Sequence, residues 1–306
     1  MSGPLVSVVI PAYNHAGYLE AAIRSVLDQT YRDLELIVLD DGSTDGTRAL
    51  LERLGGGFRW ESQPNMGQAR TLNKGWSMSR GEILAYLSAD DFLHPAAVAE
   101  AVRALEEHPQ AVVVYPDFAL VDARGRPVYE TRAREYAYLD AVRMMVTGVG
   151  VGGFFRRAAF ERAGGWNAEL RRMPDLDFWL RLGLHGAFRR IPKVLAYHRV
   201  HEGSETYSQP DAGRADESLR IINDFYGAPG LPPSVLAVRD QARASAHLLS
   251  ARLHCYAGRH GTGLARFLEA LRLDPSLLLK PRGYRAVIVG LLGRIRWRLL
   301  SALKPR

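Results

Sequence analysis

The first 117 residues alternate between short apolar runs and segments in which apolar positions recur at helical intervals. Five runs have the length of a strand: VSVVIP (6–11), LELIVL (34–39), FRWES (58–62), EILAYLS (82–88) and AVVVYPD (111–117). The segments between them are YLEAAIRSVLDQ, GTRALLERL, QARTLNKGWSMS and PAAVAEAVRALEEH. Apolar strands that alternate with helices predict an α/β fold with a mostly parallel sheet flanked by helices on both faces.

The pattern changes twice further along the chain. From 118 to 205 it indicates strand pairs and two helices, RAAFERAG and DLDFWLRLGLHG. After the polar stretch HEGSETYSQPDAG we expect an all-helical C-terminal extension. Part of it, HLLSARLHCYAGRHGTGLARFLEALRLDPS, resembles one tetratricopeptide-like helix pair. Because a stable array needs about three repeats, we favour two ordinary helices packed on the main domain.

Composition indicates a globular protein of a reducing compartment. Apolar residues make up 47% of the chain and charged residues 24%, as is usual for globular domains. Cys255 is the single cysteine, which excludes an internal disulfide, a cysteine-rich zinc site and a CxxC redox motif. The start, MSGPLVSVVIPAYN, lacks the basic region of a signal peptide, and no apolar run reaches the ~20 residues of a membrane-spanning helix. We therefore expect a cytoplasmic protein.

The net charge of +7 is concentrated at the C-terminus. After Asp274 the chain has eight basic residues and no acidic one, so the rest is close to neutral. A nucleic-acid-binding protein would carry its basic residues over one face of the domain, and we expect no nucleic-acid partner. From Val287 onward the tail has helical spacing of apolar residues opposite several arginines. This pattern predicts peripheral attachment to the anionic inner face of the cell membrane, the alternative being a helix packed on the protein.

Polar residues follow four of the predicted strands, at the sheet edge where ligands of open α/β folds bind. The four strand ends carry PAYN (11–14), LDDGSTDGT (39–47), QPNMGQ (63–68) and SADD (88–91). Unpaired carboxylates are costly to bury, and Asp41 and Asp90 are expected at neighbouring strand ends. A Mg²⁺ or Mn²⁺ ion completed by substrate phosphates would compensate their charge. Asp91 is either part of this group or a cap for the segment leading to Pro95.

No GxGxxG dinucleotide motif follows the first predicted strand, and no P-loop is present. Instead, VSVVIPAYNHAGYLEAAIRSVLDQTYRDLELIVLDDGSTDGT resembles the amino-terminal half of the family 2 glycosyltransferases, which have the Rossmann-like GT-A fold. The similarity continues through NMGQARTLNKGWSMSRGEILAYLSADD and FFRRAAFERAGGWNAEL to PDLDFWLRL, and covers roughly residues 5–205. It implies a metal-dependent inverting glycosyltransferase, which moves a sugar from a UDP- or dTDP-sugar to a glycan or lipid-linked acceptor in bacterial polysaccharide or glycolipid assembly.

The same resemblance implies roles for the residues at the strand ends. Those that would bind the nucleotide or line the donor site are Pro11, Tyr13, Asp41, Asn65, Gly67 and Asn73. Asp90 would be the metal-binding carboxylate that closes the Asp-x-Asp motif of the family. Ser88 stands at the first position of that motif instead of Asp. In the family, the first Asp of the motif contacts the ribose or the metal. In this chain we expect that contact to be weaker, or to be made by Asp91.

The catalytic base implied by the resemblance is Asp175 in PDLDFWLRL. Helical spacing places Asp175 on one face with Trp179, an apolar wall that would raise its pKa. Pro174 replaces the acid that usually precedes the base, and Asp177 points to another side of the helix. His201 matches a segment that closes over the diphosphate, so it is a metal ligand, a phosphate ligand or a surface residue, with Arg199 and Ser204 as weaker candidates for support.

These assignments predict two domains. Residues 1–205 would form the transferase domain, with a nucleotide-sugar-binding half (1–117) and an acceptor half (118–205), and residues 206–306 a helical region with the basic tail. The alternative function is a scaffold that has lost turnover and binds partners through its helical tail. Ser88 and Pro174 favour this alternative, whereas the retention of Asp41, Asp90 and Asp175 favours an enzyme.

Overall fold

The computed structural model describes residues 3–135, 137–201, 208–281, 288–290 and 292. In this part of the chain, nine strands form one sheet: β1 Val6–Ala12, β2 Leu34–Asp40, β3 Arg59–Ser62, β4 Ile83–Tyr86, β5 Phe92–Leu93, β6 Ala111–Val121, β7 Pro127–Thr131, β8 Phe154–Arg156 and β9 Ala187–Arg199. The strand order is β3-β2-β1-β4-β8-β6-β9-β5, and β7 pairs with β6.

The helices follow the strands in the predicted alternation. They are α1 Leu19–Leu27, α2 Thr47–Leu54, α3 Gln68–Met78, α4 Ala97–Glu107, α5 Tyr138–Met144, α6 Arg157–Ala163, α7 Pro174–Leu182, α8 Ala212–Ala215, α9 Glu217–Gly227, α10 Pro233–Leu236, α11 Arg239–Tyr256 and α12 His260–Leu273. Short 3₁₀ helices cover Gly183–His185 and Pro275–Leu279. The predicted α/β class with C-terminal helices is confirmed.

The sheet is parallel through β3, β2, β1 and β4, and becomes mixed beyond β4. β8 lies antiparallel between β4 and β6, while β9 pairs parallel with β6. In the parallel part, Val6 of β1 is in register with Leu34 of β2 and Ile83 of β4. The carboxyl ends of these strands therefore lie side by side at one edge, as their common direction requires.

Both faces of the sheet are covered, because successive side chains of a strand point to opposite sides. Val8 and Ile10 of β1 pack in one apolar cluster with Leu19 and Ile23 of α1. Val9 points to the other face and belongs to a second cluster, which includes Trp76 of α3, Phe155 of β8 and Trp179 of α7. Each such fully buried aliphatic side chain contributes about 1.5–3 kcal/mol to folding.

The chain divides into two compact units. The first unit comprises Met1–Ala137, Thr147–Glu169 and Phe178–Gly203, and it contains the whole sheet. The second unit comprises Tyr138–Val146, Leu170–Asp177 and Ser204–Arg306. Two segments that the sequence-based division at 205 placed in the transferase domain, 138–146 and 170–177, thus group with the C-terminal helices.

The second unit is built around the pair α11 and α12. Its core joins Ala244 and Leu248 of α11 to Ala270 of α12 and to Leu277 in the following 3₁₀ helix. At the N-terminus of α9, Asp216 accepts hydrogen bonds from side chains of α11 and α12, namely Ser250 (2.6 Å), His254 (3.2 Å) and Arg266 (2.8 Å). These bonds hold the three helices together.

No helix in the described residues is long and apolar enough to cross a membrane. The predicted amphipathic tail segment lies outside the described residues, apart from the short helical pieces at 288–290 and 292.

Candidate active site

The loop after β1 is tied to the loop after β2. Asn14 has a left-handed backbone conformation (φ 57°), which asparagine tolerates better than most residues. Its backbone N–H donates to the Ser43 hydroxyl (2.9 Å), and its side-chain oxygen accepts from the backbone N–H of Thr44 (2.8 Å). The two loops form one rim at the sheet edge, where Pro11 is buried and the Tyr13 side chain is 46% exposed.

Asp41 fixes the loop after β3. Its buried carboxylate accepts hydrogen bonds from the Gln63 side chain (3.0 Å) and from the backbone N–H groups of Met66 and Gly67 (2.9 Å each). Gly42, at φ +77°, allows the close approach, because a Cβ there would lie 2.8 Å from the next loop's backbone. A carboxylate offers about four acceptor positions, so Asp41 retains acceptor capacity beyond these three bonds.

Two further predicted donor-site residues differ in their surroundings. Asn65 is exposed in the loop that Asp41 holds. The Asn73 amide instead pairs with the backbone of Trp166, donating to its carbonyl and accepting from its N–H at 2.8 Å each. These bonds give Asn73 a positioning role, and its contact with the donor stays a prediction.

Asp90 and His201 lie together. The pairing of β5 with the end of β9 brings residues that precede β5 beside residues that follow β9. The Nε2 atom of His201 is 3.0 Å from the Asp90 carboxylate, and the two side chains are only 11% and 14% exposed. The Tyr18 ring packs against His201 at 4.7 Å between centroids, and the Arg199 guanidinium donates to the Asp90 carbonyl (2.8 Å). Ser88, half-buried, lies two residues before Asp90.

Asp91 has different partners from its neighbour. Its carboxylate is 3.1 Å from His198 Nδ1 and accepts from the backbone N–H of Arg199 (2.9 Å). Burial raises the pKa of Asp91, and the hydrogen bond with Asp91 raises the pKa of His198. These contacts favour a structural role for Asp91, which fixes the end of β9 next to the strand end at 88–91. Its assignment as a metal ligand stays a prediction.

A third residue joins Asp90 and His201, and the sequence reasoning missed it. One potential ligand atom from each of His15, Asp90 and His201 lies within 4.8 Å of the other two. One carboxylate oxygen and two imidazole nitrogens form a donor set that suits a first-row divalent cation. The sequence did contain a signal for His15, because this residue directly follows PAYN at the end of the first strand. The loop after β1 reaches the same sheet edge as the end of β4, which leads to Asp90.

Asp175 lies in the second unit, in the first turn of α7. Burial raises the pKa of its carboxyl, and the negative charge of Glu217 raises it further. Glu217 itself is buried and accepts hydrogen bonds from three consecutive backbone N–H groups, those of Arg171 (2.7 Å), Arg172 (2.7 Å) and Met173 (2.9 Å). Glu217 therefore both orders the segment that leads into α7 and sets part of the electrostatic environment of Asp175.

The fold and these residues define a protein of the GT-A glycosyltransferase class. Residues 7–163, about half of the chain, match glycosyl transferase family 2. The chain therefore belongs to that family, and it is a glycosyltransferase. The predicted family and enzyme class are confirmed.

Several similar polysaccharide synthases are much longer than this chain. The hyaluronan synthase of Pasteurella multocida is 32% identical over 234 residues, which are 74% of this chain and 24% of the synthase. The chain thus spans about a quarter of that relative, so the similarity concerns one region of the synthase.

Two solved structures share the fold over nearly the whole chain. TarS of S. aureus in complex with UDP-GlcNAc superposes with a TM-score of 0.71 at 18% identity, covering 96% of this chain and 92% of that one. The mannosyltransferase PcManGT of Pyrobaculum calidifontis, in complex with GDP-Man and Mn²⁺, gives a TM-score of 0.64 at 19% identity, with 98% and 88% covered. At these identities the likeness establishes the fold.

Proposed function

We propose that this protein transfers a sugar from a nucleoside diphosphate to an acceptor hydroxyl, with inversion at the anomeric carbon and with a divalent cation in the site. The observation that carries the proposal is the pairing of Asp90 with His201 at a sheet edge that also carries Asp41. A partly buried carboxylate and an imidazole that converge next to a donor-site loop suit a cation that binds a diphosphate.

The donor is held by the rim at the carboxyl ends of β1 to β4. Pro11, Tyr13 and Asp41 bind the nucleobase and ribose in this proposal, and the exposed Tyr13 ring and the remaining acceptor capacity of Asp41 support it. Asn65 and Gly67 line the donor site from the loop that Asp41 positions. We favour a UDP- or dTDP-sugar, and UDP is the nucleotide in the TarS complexes.

Asp90 and His201 would hold the cation, which when bound neutralises the charge of the diphosphate leaving group. Tyr18 and Arg199 keep these two groups in place through ring packing and the bond to the Asp90 carbonyl. Ser88 cannot offer the charge of the first carboxylate in the Asp-x-Asp motif. His201 therefore acts as a metal ligand in this proposal, in preference to a direct phosphate contact.

Asp175 acts as the general base, because inversion requires one carboxylate to take the proton of the attacking hydroxyl. The raised pKa supports this role, since a carboxylate with a higher pKa is a stronger proton acceptor. The acceptor oxygen attacks the anomeric carbon as its proton moves to a carboxylate oxygen of Asp175, and the bond from that carbon to the diphosphate oxygen breaks, which releases the nucleoside diphosphate. The assignment rests on the match of Asp175 to the family motif and on this environment.

The proposal is tested by donor hydrolysis and by thermal stabilisation. Purified protein is incubated with UDP-, dTDP- and GDP-sugars in Mn²⁺, Mg²⁺ or EDTA, and released nucleoside diphosphate is measured. We expect release from a UDP- or dTDP-sugar with metal, and a higher melting temperature with that donor, because a ligand of the native state stabilises it. Asp90→Asn should lose both effects, and the exposed Asp224→Asn should keep them.

A folded protein that shows neither release nor stabilisation with any of these donors would contradict the proposal. It would support the scaffold alternative, which the family match and the retained Asp90, His201 and Asp175 do not favour. The similarity to a hyaluronan synthase supports a role in polysaccharide or glycolipid assembly, with a glycan or lipid-linked acceptor.

We also propose that the basic C-terminal tail attaches the enzyme to the inner face of the cell membrane. Each basic residue near an anionic surface contributes about 1 kcal/mol. Because Leu277 is buried in the core of the second unit, the test truncation should fall after Lys280. We expect the full chain to sediment with vesicles containing phosphatidylglycerol at low salt, and the truncated chain or a variant with Arg294, Arg296 and Arg298 changed to Gln to remain in the supernatant. A full chain that ignores such vesicles would contradict attachment.

A further inference from the structure

His15 is the third member of the cluster formed with Asp90 and His201, and the family resemblance assigns it no role. One potential ligand atom from each of the three residues lies within 4.8 Å of the other two. Metal–ligand distances near 2.1 Å place neighbouring ligand atoms about 3 Å apart and opposite ones about 4 Å apart. The cluster is therefore within a small side-chain adjustment of closing on one ion.

The backbone of His15 is fixed by contacts that do not involve its ring. Its N–H donates to the Thr47 hydroxyl (3.0 Å), and its carbonyl accepts from the N–H groups of Tyr18 (3.0 Å) and Leu19 (2.9 Å) at the start of α1. These bonds anchor the loop between β1 and α1 to the start of α2. The fold thus fixes the backbone position from which the imidazole reaches the cluster with Asp90.

The ring has a nitrogen available for a ligand. The Nδ1 atom of His15 is buried, and it forms no hydrogen bond with any residue in the described ranges. A buried imidazole nitrogen without a partner is costly, because its hydrogen bond to water is lost without replacement. Coordination of a cation would satisfy it.

We infer that His15 is a third protein ligand of the catalytic cation, so that the site uses two imidazoles and one carboxylate. The inference rests on the proposed function, since it concerns the same metal site. Mg²⁺ prefers oxygen ligands and loses water reluctantly, whereas imidazole suits first-row transition metals. The site therefore selects Mn²⁺ and Co²⁺ over Mg²⁺. Because three of its ligands come from the protein, it binds the ion before the nucleotide arrives.

The test measures metal binding without any nucleotide. Free Mn²⁺ is followed by electron paramagnetic resonance during titration of the full-length protein, of His15→Ala and of the control His108→Ala, whose ring lies outside the cluster. We expect His15→Ala to weaken Mn²⁺ binding at least about tenfold, because loss of even an outer-shell partner of a metal ligand costs about 10–100-fold in affinity. His108→Ala should match the wild type. His15→Asp, which places an oxygen as many bonds from Cβ as Nδ1, should restore binding and improve the relative affinity for Mg²⁺.

Competition on the wild-type protein needs no variant: a large excess of Mg²⁺ should fail to displace Mn²⁺, and Co²⁺ should displace it. Equal Mn²⁺ affinity in His15→Ala and wild type, or ready displacement by Mg²⁺, would overturn the inference. A loss in His15→Ala that appears only when UDP is present would identify a phosphate contact and also overturn it. If Asp90→Asn keeps full Mn²⁺ affinity as well, the metal site of the proposed function fails. If only His15→Ala keeps it, the proposed function stands.

Discussion

Asp41 and Gly67 are joined by a hydrogen bond of 2.9 Å from the backbone N–H of Gly67 to the Asp41 carboxylate, although 26 positions separate them in the chain. Asp41→Asn replaces one acceptor oxygen by an NH₂ group, which cannot accept from a backbone N–H. We expect the free energy of unfolding to fall by about 1–3 kcal/mol, the cost of a buried donor left unsatisfied. Urea titration measures this change, and calorimetry should show weaker UDP binding.

The matched control for this variant is Asp28→Asn, because Asp28 is exposed at the end of α1. Its stability should stay within about 0.5 kcal/mol of the wild type. If Asp41→Asn behaves like Asp28→Asn in both measurements, Asp41 neither orders the loop after β3 nor contacts the nucleotide.

The second prediction concerns the pH dependence of the base. Burial, the largest cause, raises the pKa of Asp175, so its ionised form is lost at a higher pH than for an ordinary aspartate near 3.9. A base must be ionised to accept a proton, and we therefore expect the acid limb of kcat/KM to lie above that value. Asp175→Asn should keep donor binding and lose transfer. Retention of most turnover in Asp175→Asn at saturating acceptor would rule out this base.

Glu217 provides the third prediction, as a positioning residue for Asp175. Glu217→Gln removes a negative charge that raises the pKa of Asp175, and it places an NH₂ group against backbone donors that the carboxylate now satisfies. We expect a small shift of the acid limb to lower pH, a lower kcat with donor KM unchanged, and reduced stability. The exposed Glu106→Gln should alter none of these quantities. An unchanged pH profile in Glu217→Gln would leave Glu217 a structural role alone.

The fourth prediction concerns Asp117 in β6, whose buried carboxylate receives two hydrogen bonds from Arg190 (2.7 and 2.6 Å) and one from the backbone N–H of Ala133 (2.8 Å). Burial alone would raise the pKa of Asp117, but these bonds outweigh it and hold the pKa below its usual value. The stabilisation from these bonds is fully present above the pKa of an aspartate in the unfolded chain, near 3.9. It is lost as the pH falls through the lower pKa of Asp117 in the folded protein.

Asp117→Asn should lower the free energy of unfolding at pH 7 by about 3 kcal/mol, the low end for a broken buried pair, because Arg190 stays partly exposed. Urea titrations at pH 7 and near pH 3 measure it, and the difference between variant and wild type should shrink at the lower pH. A difference that does not depend on pH would show that the ionised pair is not its source.

The parallel part of the sheet could be predicted from the sequence because each strand there is a continuous apolar run followed by a helix. β8 was not predicted as a separate strand. It has three residues, and it is held by pairing with β4 and β6, which lie about 70 and 40 positions earlier, so no local pattern marks it. Similarly, β9 runs over thirteen residues with mixed burial, which hides the alternation expected of a strand.

Motifs name Asp41, Asp90 and His201 as candidates from the sequence alone, and their roles in donor and metal binding stay predictions. A residue that acts through a partner distant in sequence could not be predicted. The Asn73 amide meets the Trp166 backbone 93 positions away, and His198 meets Asp91 107 positions away. His15 resembles an ordinary loop residue until β1 and β4 are placed side by side.

The three separate segments of the second unit have a consequence for protein engineering and for evolution. The segment 170–177, which carries Asp175, is held by hydrogen bonds to Glu217, a residue that lies after position 205 in the chain. A fusion that joins residues 1–205 to the C-terminal region of another transferase would lose this carboxylate and leave three backbone N–H groups without their acceptor. A successful chimera must therefore transplant 138–146, 170–177 and the C-terminal helices together. Recombination at a single crossover point cannot exchange this part of the enzyme intact.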